Sequence, residues 1–203
     1  MKKIILASQS PQRKLLMEAL GLPFEVMPAN IDEKNIIEVD QKLRCQKIAK
    51  AKADFIKKTL MESGVKNNNH YIIIAADTYT VFNGKAYEKP ENLNEARRML
   101  AEQSGQAGLC FSGFAYIDTT EKLEYNSVAT TSLVFRDLSN SEIEKYVKEN
   151  PVLTWSAGFC PAYPAGVNLI SEINGSLSSF THGLPMEMLI PLLKRSGVFD
   201  EEN

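Results

Sequence analysis

The chain has 203 residues, of which 44% are hydrophobic and 24% charged, a balance typical of a globular protein and unlike that of a disordered one. Its 23 basic and 25 acidic residues give a formal net charge of -2, which argues against a nucleic-acid coat or a membrane-surface protein. A chain of this length can bury a sizeable core, either in one large domain or in two small lobes.

The apolar stretches are too short for export or membrane insertion. Residues 4–7 fall short of the roughly 7 to 15 apolar residues of a signal-peptide core, and residues 71–76 fall short of the roughly 20 of a membrane helix. We therefore expect a cytoplasmic protein with no membrane partner. Cys45, Cys110 and Cys160 are widely spaced and form no CxxC pair, so we expect reduced, buried thiols and neither a disulfide framework nor a zinc site.

The N-terminal third predicts a strand, a tight turn and two helices. Residues 3–7 predict a short buried strand, and Ser10, which a proline follows, predicts the N-cap of a first helix. A long second helix is predicted over residues 40–63, because small and apolar residues recur there at helical spacing.

The next segment predicts a buried strand that ends at a polar pair. Residues 71–76 form an apolar, β-rich run that suits a strand buried on both faces, and Asp77 and Thr78 follow it directly. A second short strand is then expected to lead to Asn83-Gly84, a pair typical of a hairpin turn.

The rest of the chain predicts interleaved strands and helices. Asn92 and Ser139 are each followed three residues later by a glutamate, a capping-box pattern that predicts the start of a helix. The other predicted elements are strands at 107–117, 123–135 and 169–173 and a final helix at 185–195. Because the middle strands are expected to be antiparallel, the predicted fold class is α/β, with a mixed twisted sheet flanked by helices.

Three junctions between a strand and a turn carry polar groups suited to chemistry. Ser8, Ser10 and Arg13 surround a helix start and could form an anion cradle for phosphate, or Ser10 could only cap the helix while Arg13 is solvated. Asp77 at the mouth of a core strand could act as a base or hold a divalent cation, or it could cap a turn. Lys89, stiffened by the following proline, could bind phosphate or be solvated.

Other charged groups also leave two interpretations open. The adjacent acids Asp32 and Glu33 lie in a polar loop and could bind a metal or be solvated. The basic stretch 42–58 could be a nucleic-acid face, although we expect a solvated helix surface and no nucleic-acid partner. Within it, Lys52 lies among the small and apolar residues of the helix and could reach inward to a cleft.

Taken together and in this order, the segments resemble the Maf family of nucleoside triphosphate pyrophosphatases. The similarity runs from residue 4 to about residue 195, so it covers nearly the whole chain. The matching segments are 6–13, 76–78, 88–90, 95–96, 99–100, 104–105, 157–158, 173–176 and 183–185. The resemblance implies a single Maf-like domain over 1–203, with two lobes around a cleft as in inosine triphosphate pyrophosphatases, and often a homodimer.

The resemblance also implies a reaction, in which a nucleoside triphosphate is hydrolysed to the monophosphate and pyrophosphate. Asp77 would accept a proton from water, and Glu33 with Asp77 would lie near a divalent metal, Mg²⁺ or Mn²⁺. Lys52 and Lys89 would complete the catalytic set. The residues implied to hold the triphosphate are Ser8, Ser10, Arg13, Lys52 and Lys89. Such donors suit the reaction, because the departing pyrophosphate carries charge that a cation and fixed positive groups stabilise.

Two positions depart from the family pattern and leave the base preference open. Gln12 stands where the family usually has a second arginine. Tyr163 aligns with a position that is glutamine in the dTTP/UTP-type members and glutamate in the 7-methyl-GTP-type members. Thr78, by contrast, matches the family pattern. All three are expected to bind substrate, either a pyrimidine nucleotide (dTTP/UTP) or a modified one removed in a house-cleaning role. The alternative function is a non-catalytic nucleotide-binding regulator of septum formation and cell division.

Overall fold

The computed structural model describes residues 2–62 and 70–199. Short 3-10 turns lie at Glu33–Asn35, Val152–Thr154 and Ser156–Gly158. The strands are β1 (Lys3–Leu6), β2 (Phe24–Val26), β3 (Tyr71–Phe82), β4 (Lys85–Tyr87), β5 (Ala107–Asp118), β6 (Leu123–Phe135) and β7 (Ile170–Gly175). The helices are α1 (Pro11–Ala19), α2 (Gln41–Glu62), α3 (Leu93–Gln103), α4 (Asn140–Glu149), α5 (Pro164–Val167), α6 (Leu177–His182) and α7 (Met186–Arg195).

The strands form one mixed seven-stranded sheet in the order β2-β1-β3-β5-β6-β7, with β4 paired to β3. β1 runs parallel to β2 and β3, whereas β4 runs antiparallel to β3 and β7 runs antiparallel to β6. The connection 119–122 between the neighbours β5 and β6 is shorter than the dozen or so residues that a parallel crossover needs, so these strands are antiparallel. The predicted α/β fold with a mixed sheet and helices is confirmed.

Three of the predicted helix starts are confirmed by side-chain caps. Ser10 Oγ accepts a hydrogen bond from the backbone N–H of Arg13 at 3.4 Å. Ser139 and Glu142 form the full capping box of α4, and Asn92 caps α3 through its side-chain oxygen. The predicted end of α2 at residue 63 lies outside the described residues, and the structure assigns the helix to Gln41–Glu62.

β3 is longer than predicted. The turn residues Asn83 and Gly84 both have positive φ, 51° and 76°, as a type I′ hairpin turn requires. The ladder pairs Thr80 with Tyr87 and extends to the turn, so β3 and β4 form a continuous hairpin. The prediction that the strand ends before Asp77 is therefore wrong, because hairpin pairing carries the strand past this polar residue.

The described chain divides into two compact units. The first comprises the described residues of Met1–Asp77, Ser112–Ala129 and Gly183–Asn203, and the second comprises Thr78–Phe111 and Thr130–His182. Each unit is assembled from segments that are distant in the chain. The two predicted lobes around a cleft and the single domain over 1–203 stay predictions.

The core of the first unit lies on both faces of β1 and β3. Even-numbered apolar residues of these strands pack with α1 and α7, and odd-numbered ones pack with α2. Side chains alternate between the two faces of a strand, so this division follows directly from the sequence numbering. Both faces of the sheet are covered here, as is usual for parallel strands.

An aromatic cluster marks the core of the second unit. Phe135 makes edge contacts with Phe82 and Phe159, with ring centroids 5.6 and 4.9 Å apart. Residues of α3 and α4 pack against this cluster. Rings in this geometry add a specific attraction to the apolar area that they bury.

The structure also bears on the cysteines and on membrane insertion. Cys45, Cys110 and Cys160 are buried, as expected, and none of the three takes part in a disulfide bond. Among residues 2–62 and 70–199, no helix has the length and apolar character needed to cross a membrane.

Candidate active site

Asp77 and Lys52 meet between β3 and α2. Asp77 follows the odd-numbered residues of β3 that face α2, and Lys52 lies on the side of α2 that packs against the sheet. Lys52 Nζ donates a hydrogen bond to Asp77 Oδ1 at 2.8 Å, and the two residues are only 9% and 8% exposed. Buried charges are costly unless they are paired, and these two groups pair with each other.

A second carboxylate reaches the same ammonium. Glu33 lies in the 3-10 turn that Asp32 caps, and its Oε1 atom is 2.9 Å from Lys52 Nζ. The Glu33 side chain is 46% exposed, so solvent reaches this side of the cluster. Lys52 therefore bridges one buried carboxylate and one that is open to solvent.

Arg13 lies beside Ser8 at the end of β1. Arg13 Nη1 donates to Ser8 Oγ at 2.9 Å, and Arg13 Nε donates to the carbonyl of Gly183 at 2.9 Å. Ser8 Oγ also accepts from the N–H of Ser10 at 3.2 Å. Burial lowers the pKa of Arg13, an effect that the negative charge of Asp77 opposes. Because arginine normally titrates far above neutral pH, its guanidinium remains a cation beside the start of α1.

Gln12 lies in the first turn of α1, next to the cap. Ser10 Oγ donates to Gln12 Oε1 at 3.1 Å, so Ser10 both caps the helix and contacts this side chain. An amide can donate hydrogen bonds but carries no charge, so Gln12 cannot supply the electrostatic attraction of an arginine.

The other predicted site residues belong to the second unit. Thr78 follows Asp77 in β3, and the alternation of the strand puts it on the opposite face. Lys89 is exposed between β4 and α3. Tyr163 is 41% exposed and stacks on Trp155, with ring centroids 5.4 Å apart. The roles of Thr78, Lys89 and Tyr163 in substrate binding stay predictions.

Cys45 is a residue near Asp77 that sequence reasoning missed. Its thiol donates to the backbone carbonyl of Asp77, with Sγ and O 3.4 Å apart, and its Sγ accepts from the N–H of Gly113 at 3.0 Å. The spacing of seven residues between Cys45 and Lys52 was a usable signal, because it places both on the same side of a helix.

The basic surface of α2 is paired with acidic side chains. The ion pairs are Lys47 with Glu38, Lys50 with Asp54, Lys57 with Glu124 and Lys58 with Glu62. Exposed pairs of this kind are typical of a solvated helix. They favour that interpretation of the stretch 42–58.

Comparison with known proteins identifies the family. A family model described as Maf-like protein matches residues 3–196. The chain belongs to this family. A dTTP/UTP pyrophosphatase of Dictyoglomus thermophilum is 33% identical over 202 residues, 97% of both chains. A nucleoside triphosphate pyrophosphatase of Synechococcus sp. (strain JA-2-3B'a(2-13)) is 32% identical over 192 residues, 95% of this chain and 91% of that protein.

A dTTP/UTP pyrophosphatase of Syntrophus aciditrophicus is also similar, at 30% identity over 196 residues, which cover 97% of this chain and 91% of that one. The resemblance to the Maf family is thus confirmed, and the prediction of a hydrolase agrees with the names of these relatives. The relative named dTTP/UTP pyrophosphatase and the relative named nucleoside triphosphate pyrophosphatase match this chain at nearly equal identity, 33% and 32%. Similarity therefore supports the pyrophosphatase class without separating one base from another.

The donor atoms of the cluster are suited to a hard divalent cation. Among the described residues, no three His, Cys, Asp or Glu side chains group as a metal site. Glu33 and Asp77 nevertheless approach one cationic nitrogen, and Mg²⁺ commonly takes one or two carboxylates together with substrate phosphate oxygens. This pair therefore fits a metal that binds together with a polyphosphate.

Proposed function

We propose that this chain is a divalent-metal-dependent nucleoside triphosphate pyrophosphatase that hydrolyses an NTP or dNTP to the monophosphate and pyrophosphate. The observation that carries the proposal is the cluster in which Lys52 bridges Asp77 and Glu33. It places a buried carboxylate, a solvent-accessible carboxylate and a cation at one point. These are the groups that water activation next to a triphosphate requires.

Asp77 acts as the general base in the proposed reaction. Its carboxylate accepts a proton from a water molecule as the water oxygen forms a bond to the α-phosphorus. The bond between the α-phosphorus and the bridging oxygen then breaks, and pyrophosphate leaves with that oxygen. The hydrogen bond from Lys52 fixes the direction of the carboxylate before substrate arrives.

The cationic residues stabilise the charge that builds up on the leaving group. The Arg13 guanidinium and the Lys52 ammonium are proposed to contact phosphate oxygens, with Lys89 as a further ligand and with hydrogen bonds from the hydroxyls of Ser8 and Ser10. A Mg²⁺ or Mn²⁺ ion held by Glu33 and Asp77 would neutralise charge on the phosphate oxygens. Fixed donors of this kind need no reorganisation as the reaction proceeds.

For the base, we propose a pyrimidine nucleotide, dTTP or UTP, or a modified nucleotide. The names of two relatives support the pyrimidine choice for this chain. The ring of Tyr163 can stack on a base, but it cannot read a base edge as an amide does. We therefore expect a broader base preference than a glutamine at this position would give.

The decisive experiment measures pyrophosphate release from a panel of nucleoside triphosphates with Mg²⁺ or Mn²⁺. Asp77→Asn keeps the shape of the side chain and removes the base, so kcat should fall by about 100-fold or more. The matched control is Asp54→Asn, which removes an exposed acid paired with Lys50 on α2 and should leave kcat unchanged.

Two results would contradict the proposal. Release of orthophosphate in place of pyrophosphate would place the attack at another phosphorus. Tight binding of one nucleotide without any turnover would support the regulator. The expected homodimer and cytoplasmic location stay predictions, and light scattering of the purified protein tests the first.

A further inference from the structure

We propose that Cys45 is a positioning residue, whose thiol holds the main chain of Asp77 in the geometry that the reaction needs. The inference rests on the proposed function, because it assigns Cys45 a role that acts through the general base.

The Cys45 thiol joins two neighbouring strands at the position of Asp77. It donates to the carbonyl oxygen of Asp77 in β3 at 3.4 Å and accepts from the N–H of Gly113 in β5 at 3.0 Å. Cys45 is completely buried, so water does not compete for these bonds. A shift of Asp77 along β5 or away from it would break the hydrogen bond between the thiol and the Asp77 carbonyl oxygen.

Gly113 makes this contact sterically possible. A Cβ atom at Gly113 would lie 2.2 Å from the carbonyl oxygen of Cys45, much closer than two such atoms can approach. The backbone of α2 thus lies directly against β5, and only glycine permits that approach. The short distance brings the thiol between the two strands.

Lys52 adds a second contact between α2 and the same aspartate. It lies seven residues after Cys45, nearly two helical turns, and side chains on a helix lean toward its N-terminus, so the ammonium reaches back toward Cys45. The thiol contacts the main-chain oxygen of Asp77, and the ammonium contacts its Oδ1 atom. One rigid helix therefore controls both the position and the direction of the carboxylate.

The alternative is that Cys45 is only a small buried hydrophobe, as free cysteines often are. Cys110 provides a matched comparison, because it is also a buried cysteine outside any disulfide bond and lies on β5 three residues before Gly113. A packing role predicts the same loss of stability, and no specific loss of kcat, when either thiol is removed.

Steady-state kinetics of pyrophosphate release test the proposal with Cys45→Ala, Cys45→Ser and Cys110→Ala. In Cys45→Ala we expect kcat to fall about tenfold while KM stays within about twofold, because the base is displaced and the phosphate ligands are not. Serine retains a donor and an acceptor and should restore most of kcat. Equal kcat in Cys45→Ala and Cys110→Ala, or a serine variant no better than alanine, would overturn the proposal.

Amide hydrogen exchange separates this inference from the proposed function. The N–H of Gly113 should exchange at least about tenfold faster in Cys45→Ala than in the wild type or in Cys110→Ala, and Cys45→Ser should protect it. Unchanged exchange would refute the positioning role, whatever the activity. If the wild type hydrolyses no nucleotide, the proposed function fails. Faster exchange of the Gly113 N–H in Cys45→Ala would then still show that the Cys45 thiol holds β3 and β5 in place.

Discussion

Replacing Lys52 with methionine tests the charge cluster most directly. Methionine resembles the apolar stem of lysine but removes the ammonium that contacts Asp77 Oδ1 and Glu33 Oε1 at 2.8 and 2.9 Å. Asp77, only 8% exposed, then faces a second carboxylate without a cation between them. The variant therefore loses an attraction and gains a repulsion in a buried position.

The expected loss of stability is large. Removing one partner of a buried ion pair typically costs about 3 to 5 kcal/mol, and water access on the Glu33 side favours the lower end of that range. We expect Lys52→Met to lower the free energy of unfolding by about 3 kcal/mol. For a chain of this length, that loss lowers Tm by about 6 to 12 °C.

Urea denaturation at pH 7 with a chelator present measures this loss in a double-mutant cycle. Asp77→Asn removes the uncompensated charge, so the double variant should recover about 2 kcal/mol relative to Lys52→Met. Lys50→Met is the control, because it breaks an exposed pair with Asp54 on the same helix and should cost less than about 1 kcal/mol. A coupling energy near zero between Lys52 and Asp77 would refute the reasoning.

Three further predictions follow from contacts in the first unit. Mg²⁺ should raise Tm more in Lys52→Met than in the wild type, because the unneutralised carboxylates bind a cation more tightly; a magnesium titration followed by thermal unfolding measures this. Gly113→Ala should cost more than about 2 kcal/mol in urea denaturation, whereas Gly21→Ala, where a Cβ meets no atom within 4 Å, should cost only the roughly 1 kcal/mol of its positive φ. Burial raises the pKa of Asp118, but hydrogen bonds, above all from Lys2, outweigh this effect and leave it below its ordinary 3.8. The stability that ionised Asp118 contributes is therefore present at neutral pH and is lost as the pH falls through this lowered pKa. The urea midpoints of the wild type and Asp118→Asn should accordingly differ at pH 7 and converge well below pH 3.8.

Elements with strong local signals could be predicted from the sequence. Ser139 with Glu142 marked the start of α4, and Asn83-Gly84 marked the β3–β4 hairpin, because each signal involves only residues that are neighbours in the chain. The bounds of β6 also agree with the sequence prediction. Short elements were missed, namely β2, α5 and α6, because each has too few residues for a hydrophobic period to appear.

The extent of β3 could not be predicted from its own residues. Asp77 interrupts the apolar run, and a charged residue inside a buried strand is unfavourable unless a partner is present. That partner is Lys52, which lies 25 positions earlier in the chain. The local pattern therefore indicated an end to the strand where the tertiary structure continues it.

The sequence by itself determined the chemical types at the candidate site and part of their local placement. Ser10 as a cap, Asp77 directly after the apolar run 71–76 and Lys52 among the small and apolar residues of α2 all follow from local spacing. Only the tertiary structure decided that Lys52 bridges Asp77 and Glu33, and that the thiol of Cys45 reaches Asp77 and Gly113. The physical reason is that sequence spacing fixes the direction of a side chain only within its own helix or strand. The partner of that side chain depends on the order of the strands and on how closely the helices pack against them. Both arise from contacts between distant parts of the chain.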